Sequence, residues 1–374
     1  MKEKHLHIVT HDVPWPADFG GVIDIYYKIK WLHAEGVKIH LHCFVKDRPA
    51  TEQLNKYCVS VNYYPRKKNL LALSFSLPYI VQSRSNARLL SNLQKDEYPI
   101  LFEGIHSTYF LGVLQKQGRK TFVRLFNAEH EYYGALAMNE SNIFKKIYYL
   151  AEAGALKKYE KKIAPHTQLW ALSTTDAKIY KKEFCAKNIH FLPVFLPWDE
   201  ISVKDKPGSY CLYHGNLAIN ENENAAVWLI NSVFADIKIP LIVAGNAPSK
   251  KLSLLVSKFE HISLVINPDE QTLQELIENA SINVLPSFNK TGVKLKLLNA
   301  LFNGKHCLVN EAGCAGSGVS ELCHIAETSA AFQEKIKLLH AEPYTQKIMQ
   351  HRSAALKSLY NNKKNALRII AWIW

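Results

Sequence analysis

Acidic residues are scarce in this chain. Against 46 Lys and Arg stand only 33 Asp and Glu in 374 residues, a formal net charge of +13. That balance points to an anionic partner, whether nucleic acid, an acidic membrane surface or a phosphorylated substrate, or else to charge that serves solubility alone. No basic stretch is interleaved with aromatics in the manner of a nucleic-acid recognition motif, which argues against the first partner. Long apolar runs are also missing. None approaches the roughly 20 residues of a spanning helix, and the start, MKEKHLHIVTHDVPWP, has no stretch long enough for a signal peptide. The seven cysteines include no C-x-x-C pair, so neither a zinc site nor a dithiol motif is expected. Cys43, Cys211 and Cys307 sit in apolar strand-like runs and read as reduced, buried thiols of a cytosolic protein. No low-complexity segment and no internal repeat of solenoid period occurs.

What is present is an alternation of strands and helices. With 48% hydrophobic residues the chain has material for real cores, and its length suits two domains. Leu6–Thr10 reads as a strand, followed by a loop with Gly20 and Gly21, a helical pattern from Val22 to Glu35 closed by Gly36, and a strand Val37–Val45. The glycine pair at the helix start lets backbone approach a ligand closely, or simply makes a tight turn. Further strands are expected at Pro99–Ile105, Thr121–Phe126, Leu169–Ser173 and Ile189–Val194. The first two of these strands end in polar groups: Glu103 and His106, then Asn127, Glu129 and His130. In open parallel sheets ligands bind outside the carboxyl ends of strands, so these clusters are candidates for chemistry, with hydrogen-bonding structural roles as the alternative.

Pro193 to Gly208 carries three prolines and reads as a linker. A second series follows, with strands at Tyr210–His214, Leu241–Ala244, Ile262–Ile266 and Ile282–Leu285. The expected architecture is α/β, two doubly wound parallel-sheet domains: residues 1–197, a linker 198–208, residues 209–345, and a helical tail 346–374 packing back on the first domain. Two basic segments, Pro65–Val81 and the helix Ser141–Ile163, are read either as solvated and buried faces or as faces meeting a membrane.

The stretch Leu285–Asn310 organises the second half. It gives a strand end, a polar loop through Thr291-Gly292, a helix and another strand. Lys294 and Lys296 fall in the first helical turn, where the helix dipole disfavours cations. They are either solvated bystanders or, with the free N–H groups, a site for a doubly charged anion.

These residues carry a resemblance. Gly215-Asn216-Leu217 followed by Asn222, Asn224, Ala225, Ala226 and Trp228, the strand and loop Leu241–Asn246 with Gly245-Asn246, and Leu285-Pro286-Ser287 leading into Thr291-Gly292-Val293-Lys294-Leu295-Lys296 are similar to the donor-binding half of group-1, retaining nucleotide-sugar glycosyltransferases. Arg124 with Asn127-Ala128-Glu129 resembles an R-x-x-N-x-E variant of their first half. The resemblance covers nearly the whole chain and implies the GT-B fold, two Rossmann-like domains facing each other across a cleft.

It also implies a function: transfer of a sugar, with retention, from a UDP- or GDP-sugar to a hydroxyl of a glycan or lipid-linked acceptor. The sugar would be a hexose such as mannose or glucose, and the setting bacterial surface polysaccharide or glycolipid synthesis. The protein would be cytoplasmic and peripheral on the inner face of the cell membrane. The implied donor site is Gly20, Gly21, Gly215, Asn216, Gly245, Asn246, Ser287, Thr291, Gly292, Val293, Lys294, Lys296 and Asn299. Glu103, Arg124 and Asn127 would face the acceptor, and His106, His130 and Glu129 would be catalytic. No D-x-D occurs in the chain. No metal and no cofactor are therefore expected, and cationic side chains with a helix terminus would stabilise the departing diphosphate. The chain departs from the family at two places. Thr291 and Asn299 stand where two glutamates are usual, and no basic residue follows Gly215-Asn216-Leu217. A non-catalytic nucleotide- or glycan-binding member, or a nucleotide-sugar epimerase, are the alternative readings.

Overall fold

The computed structural model describes residues 3–67, 77–140, 142–203 and 208–374. The chain divides into two compact units, one of residues 1–197 with 360–374 and one of residues 198–359. Most of the apolar run in Pro65–Val81, and part of the linker, lie outside the described residues.

The first unit is built on seven strands: β1 (Lys4–Thr10), β2 (Val37–Val45), β3 (Ser60–Pro65), β4 (Ile100–Glu103), β5 (Thr121–Leu125), β6 (Gln168–Ala171) and β7 (Ile189–Phe191). Their order is β3-β2-β1-β4-β5-β6-β7, and every pairing is parallel. A parallel sheet must be covered on both faces. One face packs Leu6, Ile8, Ile39 and Leu41 against Ile25, Ile29 and Leu32 of the helix Gly20–Ala34. The other packs Val9, Phe44, Ile100 and Phe102 against the helices that follow β3, β4 and β5.

The tail divides between the units. The helix Asn362–Ile373 buries Ala366, Ile369, Ile370 and Ile373 in the core of the first unit, and Asn362 exchanges two hydrogen bonds with the backbone of Leu196, at 2.8 and 3.1 Å. The preceding helix Gln346–Leu359 belongs to the second unit instead. Its buried Arg352 donates to the carbonyl oxygens of Gly304 and Lys305 at 2.8 and 2.7 Å. The boundary expected at residue 346 therefore falls at Tyr360.

The second unit has six parallel strands, β8 (Cys211–His214), β9 (Leu241–Gly245), β10 (Ile262–Ile266), β11 (Ile282–Val284), β12 (His306–Val309) and β13 (His324–Ile325), in the order β10-β9-β8-β11-β12-β13. Strands β3 and β13 are additions to the sequence reading. In both units chain direction of travel reverses between the first and fourth strands, β1/β4 and β8/β11. This switch point, at the carboxyl ends, is where such sheets take ligands. Among the described residues no helix is long and apolar enough to cross a membrane.

Candidate active site

In the second unit the residues after β8 and β11 come together at the switch point. The helix Leu295–Asn303 begins there with Lys294 as its N-terminal boundary and no side-chain cap. Gly292, at φ +65°, takes the left-handed turn that brings the chain into it. Lys296 reaches back over the sheet. Its Nζ donates to Asn222 Oδ1 at 3.1 Å and lies 4.9 Å from the Tyr213 ring centroid. Burial, reinforced by Lys294 and opposed by Glu221, lowers the Lys296 ammonium to about 8. Lys294 Nζ donates to the Thr291 carbonyl at 2.6 Å. Burial and the Lys296 charge hold the His214 imidazole neutral, with a pKa of about 3.

The loop itself is set by short polar side chains. Ser287 N–H donates to Asn310 Oδ1 at 2.9 Å, and Asn310 returns a bond to the Ser287 carbonyl at 2.7 Å. Ser287 Oγ donates to Glu221 Oε1 at 3.0 Å, and Asn289 Oδ1 accepts from both the N–H and hydroxyl of Thr291 at 2.8 Å. Gly215 and Gly245 are needed for close packing. A Cβ on Gly245 would fall 1.9 Å from the Gly215 carbonyl oxygen, and one on Gly215 would press on Asn222 at 3.3 Å. Asn216 and Asn246 both bond to the N–H of Ala218, at 3.1 Å. Asn299 lies further along the helix, its amide oxygen taken by Asn303 at 2.8 Å. Of the expected donor residues in this unit, Gly215, Asn216, Gly245, Asn246, Ser287, Thr291, Gly292, Val293, Lys294 and Lys296 thus lie on or beside three converging loops, those after β8, β9 and β11. Asn299 sits apart with its amide engaged. Glu221 and Tyr213 join the group without having been anticipated.

In the first unit the switch point holds His11, just past β1, and His106, just past β4. Their rings are 5.3 Å apart, and His11 meets Phe126 edge-on at 5.3 Å. The Nδ1 atoms of both are buried with no hydrogen-bond partner among the described residues. Burial first, then the Arg84 and Arg66 charges, keep both imidazoles neutral, His11 near 3 and His106 well below its ordinary value. Gly104, at φ +75°, allows this approach, since a Cβ there would stand 3.0 Å from His106 Nδ1 and from Phe126. Gly21 lies under His11 in the same way, at 3.3 Å. Gly20 and Gly21 form the first turn of their helix, which has no side-chain cap.

The other expected residues of the first unit sit differently. Glu103 and Arg124 are fully buried. Arg124 grips Asp24 with two bonds of 3.0 and 3.1 Å, Lys28 bridges Asp24 at 2.8 Å and Glu103 at 3.0 Å, and Asp24 also accepts from the Phe195 N–H at 2.8 Å. Burial works to raise the Asp24 carboxyl, yet Arg124 and Lys28 together hold it at about 2. In this arrangement the two residues tie helix Gly20–Ala34, β4, β5 and the segment at Phe195 together, and an acceptor cannot reach them. His130 also points inward. Its Nδ1 is 2.7 Å from Glu160, which receives the N–H groups of Glu129 and His130 and the Tyr180 hydroxyl. That places His130 in a helix-capping network rather than at the strand ends. Glu129 is buried, accepts from Asn127 at 3.4 Å and is pushed up to about 8, by burial first and then by Glu160, so it is protonated at neutral pH. Among the described residues no group of three or more His, Cys, Asp or Glu is placed to hold a metal ion.

Two doubly wound units with these strand orders define the GT-B architecture of glycosyltransferases, and solved structures of that class overlay the whole chain. Sucrose-phosphate synthase from Thermosynechococcus elongatus matches with a TM-score of 0.73 at 14% identity over 99% of this chain and 98% of its own. TarM gives 0.71 at 10% over 100% and 99%, and Anabaena HepE, crystallised with UDP and glucose, 0.66 at 10% over 98% of each. Residues 208–342 match the model of "Glycosyl transferases group 1". A 44.6 kDa protein of the Klebsiella pneumoniae cps region is 28% identical over 390 aligned positions, spanning 96% of both chains.

Proposed function

We propose that the protein transfers a hexosyl group, with retention, from a nucleotide-diphosphate sugar to a hydroxyl of a glycan or lipid-linked acceptor, in the synthesis of a surface polysaccharide. The observation that carries this is the pair Lys294 and Lys296 at an uncapped helix N-terminus, against the glycine-paired loop after β8. Helix N–H groups and two ammonium groups make a diphosphate site without a metal. A lysine lowered to about 8 is desolvated and gains most from an incoming dianion. Thr291 and Ser287 line the loop, and Glu221 supplies a carboxylate for sugar hydroxyls where the usual helix glutamates are absent. In the first unit His106 and His11 are neutral imidazoles with a free ring nitrogen, suited to bonding a reacting hydroxyl. The cps-region relative supports polysaccharide synthesis, and HepE, crystallised with UDP and glucose, supports a UDP-hexose donor.

A membrane-borne acceptor is supported by a stripe of exposed apolar residues, Ile143, Phe144 (81% exposed), Ile147 and Leu150, around Lys145 and Lys146 on the helix Ile143–Ile163. Apolar side chains flanked by lysines are the composition that anionic bilayer surfaces attract. Sedimentation with anionic vesicles should carry the protein down at low salt, and Phe144→Glu should leave it in the supernatant.

The decisive test is calorimetry with UDP, GDP and their hexose conjugates, followed by product analysis. One nucleotide should bind, and its sugar should pass to an acceptor with the anomeric configuration kept. Binding without transfer or donor hydrolysis would favour a non-catalytic member. That second reading draws on the engagement of Thr291 by Asn289 and of Asn299 by Asn303.

A further inference from the structure

Among the described residues the buried Arg84 cation has no carboxylate in salt-bridge contact. It is 5% exposed, and among the described residues its guanidinium donates only to carbonyl oxygens, to His11 at 3.0 and 3.2 Å and to Ile80 at 2.6 Å. Among the described residues neither Arg84 nor Arg66 pairs with a carboxylate. Arg66 donates to Ser83 Oγ at 2.9 Å and lies over the Tyr79 ring.

The position of Arg84 is built rather than incidental. It follows the short helix Tyr79–Gln82, whose first N–H groups are pinned by the Glu152 carboxylate at 2.8 and 3.0 Å. Burial and the Arg66 charge together lower the Arg84 guanidinium to about 9. A buried charge normally brings its counter-ion with it. Here the carboxyls that act on Arg84 are Asp12, raised by burial and bonded to the Val13 N–H at 2.8 Å, and Glu129, protonated at neutral pH. The two arginines therefore face Asp12 and, at Arg66, a Glu152 carboxylate already bonded to two N–H groups, beside the Nδ1 atoms of His11 and His106, which lack a partner among the described residues, and the uncapped start of the Gly20–Ala34 helix.

We infer that this cluster is an oxyanion site of the first unit, in which Arg84 and Arg66, with His11, hold an acidic group carried by the acceptor. The inference rests on the reading above, in which the donor diphosphate is taken by Lys294 and Lys296. The acceptor then bears a phosphate or a carboxylate near the hydroxyl that receives the sugar. A planar guanidinium fork binds either with two parallel bonds.

The full-length protein, saturated with the nucleotide it binds so that the lysine site is filled, is titrated with glucose 1-phosphate and with glucuronate. One of the two should bind, identifying phosphate or carboxylate. Arg66→Gln should weaken that binding at least tenfold, as should Arg84→Lys, while nucleotide affinity stays within twofold. Half-buried Arg66 serves as the variant should Arg84→Lys fail to fold, as judged by circular dichroism. The inference is overturned if neither anion binds, if Arg66→Gln binds as well as wild type, or if nucleotide and anion affinities fall together, which would give the arginines to the donor. If wild type binds no nucleotide, the proposed function fails on its own. The same anion titration without nucleotide then decides the arginine site, through loss in Arg66→Gln and retention in Lys296→Ala.

Discussion

β4 of the first unit and β11 of the second occupy the same place in the same strand order, beside β1 and β8 respectively, yet they end in opposite kinds of chemistry. β4 ends in Glu103, locked into a fully buried network of four charges with Lys28, Asp24 and Arg124. β11 runs into Ser287, held by the neutral side chain of Asn310 and bonded to Glu221. The charges at the second site stay nearer the surface, on Lys294, Lys296 and Glu221, which are only half-buried. Topology thus fixes where a site forms, while side-chain chemistry decides whether charge there is consumed by the fold or kept for a ligand.

The sharpest way to break this contrast is Arg124→Met. Removing one member of a buried ion network leaves uncompensated carboxylates and costs about 3–5 kcal/mol. Denaturant unfolding of the first unit should show that loss, with nucleotide affinity unchanged. A stability change under about 1 kcal/mol together with lost transfer activity would return Arg124 to the acceptor.

Lys296→Ala is the counterpart in the second unit. A hydrogen bond to a charged group contributes about 1.5–3 kcal/mol, so nucleotide binding measured by calorimetry should weaken by about tenfold or more. The unfolding midpoint should move little, because the Asn222 amide that Lys296 contacts also donates to the Asn216 carbonyl at 2.9 Å. Unaltered nucleotide affinity would place the diphosphate elsewhere.

Histidines sharpen the comparison by pH. His42 is 2% exposed and sits between His7 at 2.9 Å and Tyr64 at 2.8 Å, and His7 in turn is 2.9 Å from Asp96. Burial, then the neighbouring His7 and His40, lower His42 to about 3 from an ordinary 6.5. Its folded form stays neutral while the unfolded chain takes up a proton below pH 6.5, so stability falls as pH drops from 6.5 towards 3. Each such group contributes about 1.4 kcal/mol per pH unit inside that window. His42→Leu should flatten the pH dependence of unfolding between pH 6 and 4 by about that slope. A slope identical to wild type would show that His42 is protonated in the folded state.

How far the sequence discloses all this depends on where a side chain points. The alternation of apolar runs reveals both sheets, and the dipole conflict at Lys294 and Lys296 marks the proposed donor site. His106 is legible because it lies past its strand, where a side chain escapes the packed layers. His11 obeys the same rule and could have been found by it. Glu103 and Arg124 mislead because they lie within β4 and β5, as register partners. A strand side chain stands perpendicular to the sheet, so both project under a helix and away from the strand ends. His130 misleads for a related reason. It begins a helix, and Glu160, 30 residues later, draws it inward. Arg84 and Glu221 leave no local signal, since the partners that place each at its site, His11 and Ser287, are distant in the chain.

The smallest effect expected is at Asn299, and it tests the family departure directly. If the asparagine stood in for a ribose-binding glutamate, its amide would be free to meet a ligand. Instead its oxygen accepts from Asn303 at 2.8 Å, one turn along the same helix. A side-chain pair one helical turn apart is worth about 0.2–0.5 kcal/mol. Asn299→Ala should therefore change nucleotide affinity less than about threefold, as a shift below about 0.7 kcal/mol implies, well under the loss at Lys296→Ala. Asn299→Glu should tighten binding of the same nucleotide if the ribose lies beside this turn, since an ionised acceptor bonds hydroxyls more strongly than an amide does. A tenfold loss with Asn299→Ala would show that the amide swings from Asn303 to the ribose. The contrast between a ligand-held charge in the lysine loop and a fold-held amide on the helix would then fail at this residue.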